Sequence, residues 1–258
     1  MKQKDMLTAS IVLYNNEIKK LKKAIESFLA TDCDKHLYLI DNSETKSLSK
    51  ELNYGENVSY IHAGKNLGFG AGHNIIMKDI ADISKYHLIL NPDVYFDSNV
   101  LPYLMDYLEN NLSVGVVGPK IVYPDKRLQH SIRKFPRFQD FFIRRISFLN
   151  RLFLKRYNRY HYLDKEWNEP MLVDSISGCF QLFRTKVLLD IKGFDERYFM
   201  YLEDIDICRK TIKKGYEVCF NPLVRIVHYF EKGSAKRLKL LIIHIDSLVK
   251  YSFKWKFK

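Results

Sequence analysis

The sequence lacks the features that mark secreted, zinc-binding or membrane-spanning proteins. Its four cysteines form no C-x-x-C pair and no Cys/His spacing typical of a zinc site. We therefore expect free thiols in a reducing compartment. No apolar run approaches the roughly 18 to 20 residues that cross a bilayer. The N-terminal MKQKDMLTASIVLYNN contains no signal-peptide core, so we expect the catalytic part to be cytoplasmic.

Glycine and proline are too few for a fibrous or disordered chain. The 258 residues are 47% hydrophobic and include 11 glycines and 7 prolines, a composition typical of globular proteins. The chain contains no internal repeat and no low-complexity linker. Because a chain of this length can bury a substantial core, we predict one large α/β domain with a C-terminal extension.

Positive charge is abundant but confined to two segments. The net charge is +12 at pH 7, yet residues 126–159 hold eleven Lys and Arg against one acid, and residues 232–258 hold eight against one. Each segment predicts an amphipathic helix, around 138–154 and 236–253, of a kind that lies in the headgroup layer of a membrane. The alternative is that these helices cover the core and turn a basic face to solvent. The predicted apolar face of the first helix is Phe138, Phe142, Ile146, Leu149 and Phe153.

Apolar strand-like runs alternate with helical patterns along most of the chain. Helical spacing of apolar residues predicts helices at 17–30 and 99–111. A basic and aromatic stretch at 124–170 interrupts the alternation. The pattern predicts a mostly parallel sheet covered by helices on both faces. Strands are predicted at 7–13, 36–43, 58–63, 87–94, 114–123, 175–184 and 217–222.

Polar side chains follow three of the predicted strands. Asn15 comes after the first strand, Asp41 lies at the end of the second, and Asp93 belongs to the Asn-Pro-Asp of the fourth. Open α/β sheets bind ligands at this edge. A carboxylate there can hold a hard divalent cation and leave positions for phosphate oxygens. Asn-Pro-Asp is also common turn chemistry, and the tripeptide alone favours a turn.

A glycine-rich segment, GKNLGFGAGHN at 64–74, precedes a predicted helix. Its glycine spacing is not the G-x-G-x-x-G of a dinucleotide-binding unit. Glycines would let the backbone approach a bound ligand, and Asn66 and Asn74 would offer amide hydrogen bonds. The alternative is a flexible loop with an Asn cap.

The segment YFMYLEDIDICRK, residues 198–210, places three carboxylates among aromatic and aliphatic side chains. A helix is predicted from about Glu203, and the acids would complement its positive N-terminus. That role accounts for one or two acids but not for the crowding of aromatic residues. Desolvation in an apolar cleft raises the pKa of a carboxylate, which suits a general base. His228 in VRIVHYF is either a core histidine or a metal ligand.

In their order along the chain, these motifs resemble the family 2 inverting glycosyltransferases of bacterial polysaccharide synthesis. The resemblance covers most of residues 7–230 and is carried by ASIVLYNN, LIDNS, GKNLGFGAGHN, LILNPDV, SGCFQLFR, GFDERYFMYLEDIDIC and the late His228. It is closest to rhamnosyltransferases that build O-antigen or capsule repeats on a lipid carrier. The segment SIRKFP at 131–136 is part of this closer resemblance. It implies a GT-A fold over 1–230, with a basic helical insertion at about 124–170 and a basic, membrane-proximal extension over 231–258.

The resemblance also implies a donor, a cofactor and site residues. The donor would be a nucleotide-diphosphate sugar, with dTDP-L-rhamnose expected and galactofuranose or another hexose as the alternative sugar. Mg²⁺ or Mn²⁺ would be bound by Asp93, with His228 as a further ligand. Asp204 would be the catalytic base and Glu203 would support it or touch the acceptor. The residues implied to bind the donor are Tyr14, Asn15, Asp41 (at the nucleoside), Asn66, Asn74, Asn91 and Asp93.

Asn91 departs from the family pattern, because it stands at the first position of the D-x-D motif and an amide is a weaker metal ligand than a carboxylate. The implied acceptor is a saccharide linked to undecaprenyl diphosphate at the cytoplasmic face of the inner membrane, and no nucleic acid is expected as a partner. A sugar nucleotidyltransferase would instead carry a basic Gly-rich signature near the N-terminus, which Ser10–Asn16 lacks. An RNA-binding module would show an aromatic and arginine platform.

Overall fold

Strands and helices alternate along the chain in a computed structural model, which describes residues 6–45, 48–49, 51–52, 54–137, 139–140, 151–229 and 238–256. The strands are β1 (Met6–Leu13), β2 (Lys35–Asp41), β3 (Val58–His62), β4 (Ser84–Leu90), β5 (Val94–Tyr95), β6 (Val114–Val122), β7 (Ile132–Arg133), β8 (Met171–Leu172), β9 (Ser175–Ile176), β10 (Phe180–Arg184) and β11 (Glu217–His228). The helices are α1 (Ile18–Leu29), α2 (Phe69–Asn74), α3 (Met77–Ile80), α4 (Val100–Asn110), α5 (Leu154–Tyr160), α6 (Thr185–Asp190), α7 (Glu203–Lys213) and α8 (Leu238–Trp255).

A nine-stranded sheet with the order β3-β2-β1-β4-β10-β6-β11-β5, and with β8 also paired to β11, forms the centre of the molecule. Strands β1 to β4 pair in parallel, and so do β6 and β11. Strand β10 runs antiparallel between β4 and β6. Helices α1 and α4 pack on one face of the sheet, and α3, α6 and α7 pack on the other. The predicted mixed α/β fold with a mostly parallel central sheet is therefore confirmed.

Helix α1 shows why the apolar spacing predicted the elements well. Its side chains Leu21, Ala24, Ile25 and Phe28 are fully buried and recur at the spacing of one helical face. They join β1 and α4 in one hydrophobic cluster. All four cysteines are free thiols, as expected, and three of them are buried.

Some predicted boundaries and orientations are wrong in detail. Strand β4 ends at Leu90 rather than at residue 94, because the proline within Asn91–Asp93 has no N–H for a neighbouring strand and the chain turns there. The strand-like runs within 217–230 form one strand, β11, whose register with β6 shifts near its middle. The apolar spacing of Ile205, Cys208 and Ile212 in α7 predicts that all three face inward. Ile212 is instead exposed, and Thr211 is buried in its place.

The two basic segments differ in how much of them is described. Residues 138 and 141–150, which hold most of the predicted first helix, lie outside the described residues. The predicted second helix is present as α8. Its Leu248 and Tyr251 pack against the start of α7. Within the described part of the chain, no helix is both long and apolar enough to cross a membrane.

Candidate active site

A cleft of about 590 Å³ opens where the loops after β1 and β4, the turn between β9 and β10, the start of α7 and the end of β11 come together. Most of these segments are at the carboxyl-terminal edge of the sheet, which is the edge expected to bind a ligand. Asp93 and Asp204 both line this cleft. The predicted site residues that line the cleft are Asn15, Asn91, Asp93, Glu203, Asp204 and His228.

Strand pairing brings Asp93 and His228 together at one end of the cleft, called here the sheet end. Residue 94 of β5 pairs with His228 of β11, and the backbone N–H of Tyr229 donates to the carbonyl of Asp93 at 3.0 Å. As a result, His228 Nε2 lies 3.4 Å from Asp93 Oδ1. The other ring nitrogen, Nδ1, lies 3.1 Å from Gln129 Oε1. Such a contact on the second nitrogen fixes the orientation of a metal-binding imidazole.

The sheet end has the chemistry of a divalent-cation site. Among the described residues, the buried Asp93 Oδ1 has only the 3.4 Å contact with His228 Nε2. Burial lowers the pKa of His228, but Cys179 and Asp93 outweigh this effect and raise the pKa to about 10, so a cation bound by the ring would displace its proton. In the described ranges, no group of three His, Cys, Asp or Glu side chains could hold a metal. Asp93 and His228 could therefore supply two protein ligands to a divalent cation.

Asp204 lines the cleft from the first turn of α7, and this part of the cleft is called here the helix end. Its Oδ2 accepts the N–H of Gly178 at 3.3 Å and lies 3.6 Å from Nη2 of Arg133. Its Oδ1 accepts the N–H of Ile205 at 2.9 Å. A Cβ atom added at Gly178 would lie 2.9 Å from the Cβ of Asp204. Only glycine at position 178 therefore lets the turn between β9 and β10 approach this carboxylate.

Glu203 occupies the most desolvated position of the acidic cluster. It is 7% exposed, and its Oε2 has no hydrogen-bond partner. Burial, followed by the charge of Asp204, raises the pKa of Glu203 to about 8. The raised basicity expected within the cluster is thus found at Glu203, which carries a proton at neutral pH.

Asp206, the third acid of the cluster, does not line the cleft and instead anchors α8. It is fully buried and accepts hydrogen bonds from Lys254 Nζ at 2.8 Å and Trp255 Nε1 at 2.6 Å. The hydroxyl of Tyr198 donates to it at 3.3 Å. This anchor accounts for the aromatic crowding around the cluster, because Tyr198 and Trp255 enclose the buried carboxylate.

Helix α8 also reaches the cleft itself. His244 lines the cleft and stacks on Tyr201, with ring centroids 4.7 Å apart. The hydroxyl of Ser247 donates to the carbonyl of Met200 at 2.8 Å. Tyr201 and Leu202 have φ angles of 73° and 67°, a left-handed conformation that is costly for side chains of this size. Packing against α8 holds this strained entry into α7.

Two predicted donor-binding residues near β1 and β2 do not line the cleft. Tyr14 is 48% exposed at the start of the loop after β1. Asp41 is fully buried, because its carboxylate accepts the hydroxyl of Tyr60 and, at 2.8 Å, the N–H of Ser43. In the described part of the chain, the hydrogen-bond donors to the Asp41 carboxylate are therefore groups of the protein. For a contact with a nucleoside, Asp41 would have to exchange one of these bonds.

Asn66 and Asn74 of the glycine-rich segment also lie away from the cleft. Asn66 Oδ1 accepts the N–H of Gly68 at 3.0 Å. The amide of Asn74 donates to the carbonyl of Phe194 and accepts its N–H, both at 2.9 Å. At Gly68, with a φ of 88°, an added Cβ would lie 2.2 Å from the carbonyl oxygen of Phe199. These contacts join α2 to the segment before α7. The two asparagine side chains therefore bond to the protein itself and do not face the cleft.

Three residues that shape the site have no functional role predicted from the sequence. Arg133 lies within SIRKFP, a motif quoted only for the resemblance, and it contacts Asp204. Gln129 contacts His228 and fixes the orientation of its ring. In the sequence, Gln129 is marked only by lying two residues before SIRKFP. His244 belongs to the basic C-terminal segment, where the charge pattern drew attention to the lysines instead.

Comparison with known proteins identifies the family of this chain. Residues 9–191 match the glycosyl transferase family 2 domain. The chain is 27% identical over 215 residues to rhamnosyltransferase WbbL of Escherichia coli (strain K12), covering 81% of this chain and 78% of that one. It is 26% identical over 213 residues to the N-acetylglucosaminyl-diphospho-decaprenol L-rhamnosyltransferase of Mycobacterium tuberculosis, covering 78% of this chain and 68% of that protein.

Two solved structures share the fold. GalNAc-T7 with UDP, GalNAc and Mn²⁺ superposes with a TM-score of 0.67 at 15% identity, over 88% of this chain and 44% of that one. The mannosyltransferase PcManGT of Pyrobaculum calidifontis, in complex with GDP-Man and Mn²⁺, superposes with a TM-score of 0.60 at 16% identity, over 95% and 64%. This chain thus spans less than half of the GalNAc-T7 chain. The fold is GT-A-like, and the chain belongs to glycosyl transferase family 2.

Proposed function

We propose that this chain is an inverting glycosyltransferase that moves a sugar from a nucleotide-diphosphate donor to a saccharide on a lipid diphosphate. The convergence of Asp93 and Asp204 on one cleft carries the proposal, because transfer needs a diphosphate site and a base on either side of the reacting carbon. L-Rhamnose from dTDP-L-rhamnose is the expected sugar, since two relatives are named as rhamnosyltransferases. Galactofuranose or another hexose is the alternative.

Asp204 is the proposed base. Its carboxylate takes the proton of the acceptor hydroxyl while that oxygen bonds to the anomeric carbon. The bond from this carbon to the donor diphosphate breaks on the opposite face, and the nucleoside diphosphate leaves with the electron pair. Glu203 is neutral at pH 7 because its pKa is about 8. It is therefore suited to donate a hydrogen bond to the acceptor and not to compete with Asp204 for the proton.

Asp93 and His228 are the proposed protein ligands of Mg²⁺ or Mn²⁺, and Asn91 and Asn15 are proposed to contact the donor from the same end. A cation bound there would supply Lewis-acid stabilisation of the departing diphosphate. The assignment is supported by the buried Asp93 oxygen without a hydrogen bond and by the Mn²⁺ named in both structural neighbours. Tyr14, Asp41, Asn66 and Asn74 would act on the donor only after a local rearrangement.

We also propose peripheral attachment of the chain to the cytoplasmic face of the inner membrane through α8. One face of this helix packs on α7, and the other presents exposed apolar side chains at helical spacing. Lysines flank them, as in helices that enter anionic headgroup layers. This arrangement supports the domain division into a catalytic unit over 1–230 and a membrane-proximal extension over 231–258. The exposed apolar residues are Leu238, Ile242, Ile245, Val249 and Phe253.

The decisive experiment is a donor screen with Mn²⁺ and a short-chain lipid diphosphate saccharide as acceptor. We expect release of nucleoside diphosphate with dTDP-L-rhamnose and a product whose anomeric configuration, read by NMR, is inverted. Activity with a UDP-hexose alone would reassign the sugar. A product with retained configuration, or no turnover with any donor, would contradict the proposal. The biological setting proposed is synthesis of a cell-surface polysaccharide such as O-antigen or capsule.

Flotation with vesicles tests the membrane attachment separately. Vesicles containing anionic lipid should carry the wild-type chain, and Ile242→Ser with Phe253→Ser should reduce the bound fraction. Ile75→Ser, at an exposed apolar residue away from α8, is the matched control. Equal flotation of both variants would show that α8 does not carry the attachment.

A further inference from the structure

A second cleft, of about 570 Å³, lies beside the catalytic one and is rich in basic side chains. It is formed by the segment after β7, by α5 and by the segment before β9. Two acids, Asp140 and Asp174, also line it. We call it the basic cleft. Its five cationic side chains are Lys134, Arg137, Lys155, Arg156 and Arg159.

The two acids of the basic cleft are already engaged by the protein. Asp140 accepts Nε of Arg156 and the backbone N–H of Arg137, both at 2.7 Å. Asp174 accepts the N–H of Phe135 at 2.9 Å and the hydroxyl of Tyr162 at 3.0 Å. Only Arg156 is thus neutralised by a carboxylate among these contacts.

The remaining cations leave an excess of positive charge on a concave surface. The ammonium of Lys134 lies 5.3 Å from the ring centroid of Tyr162, which does not cancel its charge. Within the described residues, no ion pair involves Arg137, Lys155 or Arg159. Like charges on a concave surface reinforce one another's field and attract anions.

The backbone of β7 separates the basic cleft from the catalytic cleft. Arg133 lines the catalytic cleft and lies 3.6 Å from Asp204, while the next residue, Lys134, lines the basic cleft. Successive side chains of an extended segment point to opposite sides. The N–H of Lys134 donates to the carbonyl of Tyr160 at 2.8 Å and so attaches α5 to this wall. A ligand in the basic cleft is therefore a neighbour of the proposed base.

We propose that the basic cleft binds the diphosphate group of the lipid-linked acceptor, an inference that rests on the proposed function. Guanidinium groups bind phosphate oxygens in bidentate fashion, and lysine adds a point charge. With the diphosphate bound in the basic cleft, the acceptor saccharide would extend past Arg133 to Asp204. The lipid chain would extend in the other direction, away from the catalytic cleft. The concave shape favours one phosphate-bearing group over a flat bilayer surface. The donor diphosphate belongs at the sheet end, which keeps the two diphosphates in separate sites.

The test variant replaces the three cations without a carboxylate partner, as Arg137→Gln, Lys155→Gln and Arg159→Gln together. The matched control removes three exposed lysines outside both clefts, Lys78→Gln, Lys186→Gln and Lys214→Gln. Both chains lose the same net charge. The first measurement is calorimetric binding of inorganic pyrophosphate in EDTA, which removes any divalent cation from the sheet end.

In the calorimetry, we expect the test variant to bind pyrophosphate at least about tenfold more weakly than the wild type, and the control to bind like the wild type. In transfer assays, the test variant should show a similar rise in KM for the lipid diphosphate saccharide. Its hydrolysis of the donor, and its transfer to a soluble saccharide without the diphosphate, should remain unchanged.

Three other outcomes would overturn the proposal. Equal weakening in the test and control variants would mean non-specific charge attraction. A loss of binding to anionic vesicles with an unchanged KM for the lipid diphosphate saccharide would assign the cleft to bulk phospholipid headgroups. Pyrophosphate binding unaffected by the test substitutions would exclude the site. If no donor supports transfer in the wild type, the proposed function fails, and metal-free pyrophosphate binding still tests the cleft on its own.

Discussion

The two ends of the catalytic cleft are built in different ways. At the sheet end, Asp93 and His228 are placed by backbone pairing between β5 and β11. At the helix end, Asp204 stands at the start of α7, whose entry is strained and whose position depends on side chains of α8. Hydrogen-bonded strands fix the sheet end locally. The helix end depends on a helix about forty residues later in the chain, so it is the end that substitutions far from the cleft should disturb.

The largest effect is expected from Asp204→Asn at the helix end. Loss of a general base typically lowers turnover by about 10²- to 10⁴-fold, and the amide is close in shape to the carboxylate. Nucleotide binding, measured by calorimetry with Mn²⁺, should be nearly unchanged. Asp97→Asn, at an exposed aspartate outside the cleft, serves as the control. Wild-type turnover in Asp204→Asn would remove Asp204 from the role of base.

A smaller effect of a different kind is expected from Asp93→Ala at the sheet end. Removing one of two protein ligands should weaken Mn²⁺-dependent binding of the nucleoside diphosphate by roughly 10- to 100-fold. The metal-independent part of nucleotide binding should remain. Calorimetric titration with and without Mn²⁺ measures the difference. An unchanged Mn²⁺ dependence would show that the two ends do not divide metal binding and base catalysis between them.

Lys254→Met tests whether α8 supports the helix end. The substitution leaves the buried Asp206 without its cationic partner and should lower the free energy of unfolding by about 1–3 kcal/mol. We expect kcat to fall more than donor affinity, because α7 carries Asp204. Lys250→Met, four residues earlier, removes an exposed pair with Asp246 and should cost less than about 1 kcal/mol. Equal effects of the two substitutions in chemical denaturation would contradict the anchoring role.

The last prediction concerns stability rather than turnover, because the effect of Glu203→Gln should depend on pH. The folded-state pKa of Glu203, about 8, is above the ordinary glutamate value of 4.5. The unfolded chain therefore releases this proton first, and the wild type loses stability as pH rises from about 4.5 to 8. Glutamine does not ionise, so Glu203→Gln should be increasingly more heat-stable than the wild type over that window. A difference in Tm that stays constant with pH would contradict the raised pKa.

The sequence predicted the elements of both ends better than their connections. Apolar periodicity located α1, α7 and α8 within a few residues, because each helix buries one stripe of side chains. The resemblance to a known family, rather than the strand pattern, implied that Asp93 and Asp204 belong to one site. The role of Asp206 was not predictable, because its partners Lys254 and Trp255 are far away in the sequence. Its neighbours in the chain made it look like part of the active site.

The mostly parallel α/β sheet and the cleft at its carboxyl edge could be predicted from the amino-acid sequence, because local periodicity encodes them. The order of motifs likewise indicated the glycosyltransferase family. The polar groups that line the cleft could be identified only from the folded chain. The hydroxyl of Ser10, for example, forms hydrogen bonds with ring nitrogens of His73 and His87 at 2.7 and 2.8 Å. Both imidazoles are buried, and burial lowers the pKa of each. Whether a polar side chain is buried against a partner or opens onto a cleft depends on segments that are distant in sequence.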